Sequence, residues 1–246
     1  MIDSCSGKMY FVLLLLLICN LETVLGGCAI TPDANGNVVI PAIQTSIAND
    51  AFKECSTLKT VAFASDSVLE TIGSDAFKNT ALTTFAVPST VKLIDHGAFQ
   101  DCSNLATITF PSNSVLETIG SYAFYATALT AITVSSTVKL IDQHAFDYCS
   151  NLATVTFPSN SVLETIGLAA FQSTALTTFA VPSTVKSISL AAFCNCFKLA
   201  TVTFPSNSVL ETIGYGAFNR TALTAITVPS TVKLIDQWAF YGCTKL

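Results

Sequence analysis

Apolar and small polar residues alternate along this chain in a pattern that returns every 47 residues. Phe63, Phe110, Phe157 and Phe204 mark the period, and each unit contains two Ala-Phe pairs, with steps that alternate between 25 and 22 residues. The phenylalanines of these pairs are Phe52, Phe77, Phe99, Phe124, Phe146, Phe171, Phe193, Phe218 and Phe240. A repeat of this length predicts a solenoid, in which each rung buries its apolar face only against its neighbours.

Each rung contains two extended stretches and one turn. The first stretch, such as 105–110 (Leu-Ala-Thr-Ile-Thr-Phe), alternates apolar with small polar residues, which predicts a half-buried β-strand. A Pro-Ser turn and a second extended stretch, such as 115–119, lead to the Ala-Phe turn. Asp95, Asp142 and Asp236 lie four residues before the phenylalanine, and we expect each to cap one short helical turn. Nine strands pairing in parallel at about 4.8 Å per rung are predicted.

The N-terminal residues 1–27 have the features of a secretory signal peptide. Lys8 precedes an apolar run from Met9 to Ile18, which is too short to span a bilayer, and small residues follow at Gly26 and Gly27. We therefore expect a secreted or cell-surface protein with no transmembrane span. The residues that end at Cys28 also resemble a bacterial lipoprotein box, so a lipid anchor at Cys28 is an alternative to simple cleavage.

The remaining chain divides into a short cap and one elongated body. Residues 28–36 are turn-rich and non-periodic, which predicts an N-terminal cap. Residues 37–246 form the solenoid. The sequence stops at Leu246, where the next strand would begin, so we expect either a truncated sequence or a partner that covers the last rung.

The consensus L-x-x-I-x-Φ-P-x-S-V-x-x-I-G-x-x-A-F-x-x-C, followed from residue 37 to residue 246, resembles the BspA-type leucine-rich repeat of secreted and surface proteins in bacteria and protists. One rung, at 134–138, lacks the proline. The resemblance implies a right-handed α/β leucine-rich-repeat solenoid, β-rich, with about nine parallel rungs. It also implies a role in adhesion or protein recognition, and it implies no catalytic residue.

The cysteines follow the same period as the phenylalanines. Members of the series are two rungs apart, near 10 Å at the spacing of parallel strands, which exceeds the ~7 Å Cα separation that a disulfide can bridge. We therefore expect buried free thiols, with threonine at the equivalent site of the intervening rungs. A bridge from Cys28 to Cys55 that ties down the cap is an alternative for that pair. The series is Cys55, Cys102, Cys149, Cys196 and Cys243, and the threonines are Thr80, Thr127, Thr174 and Thr221.

Charged residues are few, at 11% of the chain, and the net charge is −5. No basic stripe is present, so nucleic acid is not an expected partner. Seven residues before each phenylalanine from Phe77 to Phe240, the charge alternates in sign from rung to rung, which indicates a solvent-exposed row that disfavours a one-rung slip. The row is Glu70, Lys92, Glu117, Lys139, Glu164, Lys186, Glu211 and Lys233.

Catalytic motifs do not appear in the sequence. His96 and His144 are the only histidines, and they occupy different positions in their rungs, so we do not expect them to stack. The sequence contains no metal-ligand cluster, nucleophile elbow or phosphate-binding glycine loop. We predict a protein that is not an enzyme and needs no cofactor or metal.

Two surfaces are candidates for binding. The first is the edge around the Ala-Phe turns, where the rungs differ from one another and where aromatic side chains and arginine, the residues that dominate interface hot spots, are concentrated. It would contact a protein or glycan on another cell or in the matrix; the alternative is neutral variation at exposed positions. Its candidate residues are Tyr122, Tyr125, His144, Tyr148, Tyr215, Arg220, Trp238 and Tyr241.

The second surface is the outward face of the first strand of each rung, which carries two ranks of threonine without any charge. Such a face is similar to that of ice-binding solenoids, so antifreeze activity is the alternative function; threonine is also simply a good strand former. Its candidate residues are Thr107, Thr109, Thr154, Thr156, Thr201 and Thr203.

Overall fold

The computed structural model describes residues 28–246, in which the chain winds into a parallel β-solenoid of nine rungs. The predicted signal peptide, residues 1–27, lies outside the described residues. Within the described part no helix is present. The solenoid predicted from the 47-residue period is therefore confirmed, and it consists of strands joined by turns.

The strands fall into two rows, one on each side of the Ala-Phe turns. The first row contains the strands of three or four residues: β1 (Asn37–Ile40), β3 (Thr60–Phe63), β5 (Thr84–Ala86), β7 (Thr107–Thr109), β9 (Ala131–Thr133), β11 (Thr154–Thr156), β13 (Thr178–Ala180) and β15 (Thr201–Thr203). The second row contains the two-residue strands: β2 (Ser46–Ile47), β4 (Thr71–Ile72), β6 (Leu93–Ile94), β8 (Thr118–Ile119), β10 (Leu140–Ile141), β12 (Thr165–Ile166), β14 (Ser187–Ile188), β16 (Thr212–Ile213) and β17 (Leu234–Ile235).

The second row forms one continuous nine-stranded parallel sheet, in which like residues of successive rungs pair. Ile141, for example, lies opposite Ile119 on one side and Ile166 on the other. These three isoleucines are fully buried. A β-branched residue in the same register of every rung thus supplies both the strand and the apolar surface that the next rung covers.

The first row pairs only two strands at a time: β1 with β3, β5 with β7, β9 with β11, and β13 with β15. The predicted nine parallel rungs are confirmed by the second row, while in the first row the hydrogen-bonded pairing is interrupted after every second strand. The interruptions follow the strands whose next turn is longer. Phe110 and Leu116 are six residues apart, whereas the equivalent Val87 and Val91 are four apart. Both turns close with a hydrogen bond to a proline carbonyl, from the Ser114 amide to Pro111 at 3.0 Å and from the Val91 amide to Pro88 at 3.2 Å, so the turns differ in length.

The Ala-Phe turn is not helical, so the predicted short helical turns are wrong. The residues two before and two after each phenylalanine have positive φ; around Phe146 these are His144 (54°) and Tyr148 (57°). Because residues with positive φ alternate with residues of negative φ, the N–H and C=O groups of every second peptide point along the solenoid axis. The Phe99 amide therefore donates to Ala123 of the next rung (2.8 Å), while the Ala98 amide closes a turn within its own rung. A helix would direct all of these amides inside one rung.

The aspartates that precede the turns link neighbouring rungs and do not cap helices. Asp95 accepts the His96 amide at 2.7 Å and the hydroxyl of Ser74, from the preceding rung, at 3.1 Å. In the adjacent rung the same position is Gly120, where a Cβ atom would lie 2.9 Å from the carbonyl carbon of Asp95. A side chain at this position would therefore collide with the backbone of the neighbouring rung, and Gly214 meets the backbone of Ser189 in the same way.

The phenylalanines of the Ala-Phe pairs stack in one column through the core. The rings of Phe99 and Phe124 have centroids 5.2 Å apart and planes 6° apart, and those of Phe146 and Phe171 are 5.3 Å and 1° apart. All members from Phe52 to Phe218 are buried, at 0–1% exposure. Each ring is therefore covered by the rings of the rungs on either side.

A column of sulfur and hydroxyl groups runs beside the rings. Cys102 donates its thiol hydrogen to the carbonyl of Phe77 (2.9 Å), and its sulfur lies 3.2 Å from the hydroxyl of Thr80. Cys149 and Cys196 repeat this arrangement with Thr127 and Thr174. The expected buried free thiols are therefore present at these three positions.

Cys28 and Cys55 form a disulfide, with Cα atoms 5.2 Å apart. The bridge ties the N-terminal segment to the first rung, as the sequence suggested for this pair. A lipid anchor at Cys28, the alternative given above, is incompatible with this disulfide, because the lipid would be attached through the same sulfur atom.

The alternating charges form separate ion pairs. Each lysine contacts the glutamate of the preceding rung: Lys92 with Glu70 at 2.9 Å, and Lys139 with Glu117 at 2.8 Å. The partners are more than half exposed, so solvent screens each pair and its contribution to stability is small. The row therefore favours the correct register more than it stabilises the fold.

Replacing Phe146 with Ala should cost about 3–5 kcal/mol of unfolding free energy, because it removes one ring from the middle of the column and leaves a cavity between two others. Chemical denaturation of the two proteins measures the difference. Tyr148→Ala, two residues away in the same turn and exposed, is the control and should change stability by less than about 1 kcal/mol. Equal losses for the two variants would contradict a continuous ring column.

Ala191→Gly should stabilise the protein by about 0.5–1 kcal/mol, because Ala191 has a φ of 54° and glycine relieves the steric cost of that conformation. The neighbouring Ala192 is fully buried and is not among the residues with positive φ. Ala192→Gly should therefore destabilise by about 1 kcal/mol or more. Thermal unfolding of the matched pair tests the alternating geometry, and shifts of the same sign would contradict it.

The buried thiols should stay unreactive until the protein unfolds. Burial raises the pKa of Cys149 to about 12 and that of Cys102 and Cys196 to about 11. At pH 8 an aromatic disulfide reagent should modify at most two of the five free thiols of the described chain, and all five in denaturant. Since these thiols ionise more readily in the unfolded chain, stability should fall as pH rises above about 9. Modification of all five thiols without denaturant would be inconsistent with the column.

Candidate functional site

The variable edge consists of the eight residues predicted around the Ala-Phe turns: Tyr122, Tyr125, His144, Tyr148, Tyr215, Arg220, Trp238 and Tyr241. Five of them, Tyr122, His144, Tyr148, Arg220 and Trp238, occupy positive-φ positions of the turn. The frame therefore directs them away from the buried phenylalanine. The structure divides the edge into two clusters.

The first aromatic cluster contains His96, Tyr122, Tyr125, His144 and Tyr148. The ring of Tyr122 stacks on His144 (centroids 4.6 Å apart, planes at 13°) and meets the edge of His96 at 5.5 Å. Tyr125 lies 5.6 Å from both Tyr122 and Tyr148. Both histidines contact the ring of Tyr122, which the sequence reasoning did not anticipate.

Asp147 lies beneath this cluster and is a residue that the sequence reasoning missed. It is 2% exposed, and its Oδ2 lies 2.9 Å from Nδ1 of His144. Its Oδ1 is buried and has no hydrogen-bond partner. Burial raises the pKa of Asp147, and the hydrogen bond from His144 opposes that effect. One signal was present in the sequence: Asp147 is the only acidic residue that directly follows an Ala-Phe pair.

The second aromatic cluster contains Tyr215, Trp238 and Tyr241. Trp238 lies 5.8 Å from Tyr215 and 5.2 Å from Tyr241, with planes 24° and 29° apart. The amide of Arg220 donates to the carbonyl of Tyr241 at 2.8 Å, which brings Arg220 to the same end. The two intervening rungs have Ala169 and Ala191 at the positions of Tyr122 and Trp238, so the clusters are separate surfaces.

The threonine face lies on the first row of strands, and its predicted residues Thr107, Thr109, Thr154, Thr156, Thr201 and Thr203 are exposed. Clefts interrupt it wherever the strand pairing is interrupted. The cleft between β11 and β13 has a volume of about 650 Å³ and is lined by Phe157, Pro158, Val181 and Pro182. Thr133 and Thr156, in contrast, lie on paired strands with hydroxyls 2.8 Å apart. Clefts therefore separate the strand pairs along this face.

Residues 28–246 contain neither a metal-binding cluster nor a membrane-spanning helix. In that range no group of three or more His, Cys, Asp and Glu side chains is placed to hold a metal ion. The same residues include no helix of the length and apolar character that would cross a bilayer.

Comparison with known protein families identifies the repeat. A model of the BspA type leucine rich repeat region, in six copies, matches residues 34–149 and 117–246. The chain belongs to the BspA-type leucine-rich repeat family. No curated protein sequence matches the chain.

Solved structures of leucine-rich repeat proteins are similar to the chain. A leucine-rich repeat protein of T. pallidum has 26% identity and a TM-score of 0.53, with 74% of this chain and 73% of that one covered. A leucine rich cell surface protein of Faecalibacterium prausnitzii has 26% identity and a TM-score of 0.44, with 85% and 71% covered. The first of these supports the solenoid assignment of this member of the BspA-type family.

Proposed function

We propose that this protein is a secreted or surface-displayed recognition protein whose variable edge binds a protein or glycan on another cell or in the matrix. The observation that carries the proposal is the presence of bulky rings at backbone positions that disfavour them. Tyr122, His144, Tyr148 and Trp238 all have positive φ. For an ordinary L-residue that conformation costs roughly 1–2 kcal/mol.

The turn itself does not need these rings. Of the eighteen positive-φ positions in the nine turns, eight hold the residues that tolerate this conformation best: Asp50, Asp75, Asn79, Gly97, Asp101, Asn195, Gly216 and Gly242. The turn is the same wherever these small residues occur, so stability alone favours them. Retention of exposed rings such as Tyr148 and Trp238, 52% and 56% exposed, supports a role in binding.

An extracellular location is supported by the disulfide between Cys28 and Cys55, since such bonds persist mainly in oxidising compartments. The apolar segment before it agrees with export. The BspA-type repeat is a non-catalytic structural repeat, and we propose no enzymatic activity for the chain.

Ice binding, the alternative function, requires threonines at regular spacing on a flat sheet. The clefts between strand pairs break that regularity after β3, β7 and β11. This geometry favours recognition over ice binding. A thermal-hysteresis measurement, with Thr154→Tyr as the control, tests the alternative directly.

The proposal predicts that binding depends on the variable edge. The secreted chain should bind at least one member of a panel of immobilised matrix proteins and glycans. The double variant Tyr148→Ala, Trp238→Ala should bind that member at least tenfold more weakly, because exposed aromatic anchors carry much of the energy of an interface. Surface plasmon resonance gives the affinities.

The matched control is the double variant Thr154→Ala, Thr156→Ala, which changes two exposed residues on the other face and should bind as the unaltered protein does. Full binding by the aromatic variant, or loss of binding by the threonine variant alone, would place the contact away from the variable edge. Thermal unfolding confirms that both variants are folded.

A further inference from the structure

We propose that Asp147 and the first aromatic cluster form a site for a cationic side chain, arginine or lysine, presented by a partner protein. The inference rests on the proposed function and deepens it, because it assigns the chemistry of the group that one part of the variable edge recognises. Three features of the described residues carry it.

The first feature is that one oxygen of the buried Asp147 carboxylate has no hydrogen-bond partner. Its side chain is only 3% exposed, its Oδ2 is bonded to His144, and its Oδ1 has no partner. Buried carboxylate oxygens normally have hydrogen-bond partners, because removing charge from water is expensive. The charge of Asp147 is therefore available for a further donor.

The second feature is a comparison within the same edge. In the first two rungs the acidic residues Asp50 and Asp75 share an ammonium group: Lys53 lies 2.8 Å from Asp50 and 2.9 Å from Asp75. Among the described residues, the imidazole of His144 is the only basic group within 4 Å of Asp147. An external ammonium or guanidinium would supply to Asp147 what Lys53 supplies to the other acids.

The third feature is the group of tyrosine rings next to His144, which stacks on Tyr122 and is bonded to the Asp147 carboxylate. Tyr122 and Tyr125 are half-buried and Tyr148 is 52% exposed, with ring centroids 5.6 Å apart between neighbours. A cation close to such ring faces is attracted by their quadrupoles, and a guanidinium also stacks on them. Tyr148 is the most exposed of the three rings and is the first that an approaching cation would meet. Rings and a carboxylate together select a cation over an anionic or neutral group.

The site is tested with three heptapeptides that differ only in a central Arg, Lys or citrulline, the last being the neutral isostere of arginine. In NMR titrations of the folded chain at pH 7, the Arg or Lys peptide should shift the ring signals of Tyr122, Tyr125 and Tyr148, and the citrulline peptide should not. Asp147→Asn should weaken binding at least tenfold. Asp66→Asn, which removes an exposed acid from the turn after β3, should leave binding within twofold.

Thermal unfolding of Asp147→Asn separates a recognition role from a structural one. A carboxylate that serves a ligand is strained in the free protein, so the melting temperature should stay equal or rise. A fall of several degrees together with unchanged peptide binding would overturn the inference, as would the absence of ring shifts with either cationic peptide. If the panel partner needs Trp238 but not Asp147, the inference fails and the proposed function stands. If the cationic peptide binds at Asp147 but no panel member binds the chain, the inference stands and the proposed function fails.

Discussion

Stacking of each rung on the next, through the phenylalanine column and the amides that run beside it, is the constraint on which this structure depends. The rings lie 5.2 Å apart where Phe99 meets Phe124, and that distance is possible because alternating φ signs turn every second peptide of the Ala-Phe turn along the axis. The Phe99 amide then bonds to Ala123 of the next rung. A helical turn would have kept those amides within the rung and removed the ladder.

The same geometry separates stability from function. Since the inter-rung bonds use backbone atoms, the side chains at the positive-φ positions are free to differ, and they do: Asp75, Tyr122, Ala169 and Trp238 all occupy one position of the turn. The cost is local and small, while the core beneath is unchanged. A repeat protein of this kind can therefore acquire aromatic clusters on one edge without redesigning its interior.

The regularity has limits where rung lengths differ. The turn after Phe110 is two residues longer than the turn after Val87, and the strand pairing is interrupted after the longer turns. The continuous sheet lies in the shorter strands, represented by Ile119 and Ile141, where register is identical in every rung. The interruptions leave clefts on the threonine face, whereas the sheet of the second row is continuous.

The 47-residue period, the alternation in each strand and the spacing of phenylalanine and cysteine were enough to predict the solenoid, its core column and its buried thiols, because stacking places like residues together. Tertiary structure alone decided the rest. The positive φ of His144 depends on the handedness of the backbone in the turn. The contact of both histidines with Tyr122 and the lack of a partner for Oδ1 of Asp147 depend on the side-chain rotamers in neighbouring rungs. A linear pattern records which residues recur, but not the direction in which a turn projects them, and that direction determines what can bind.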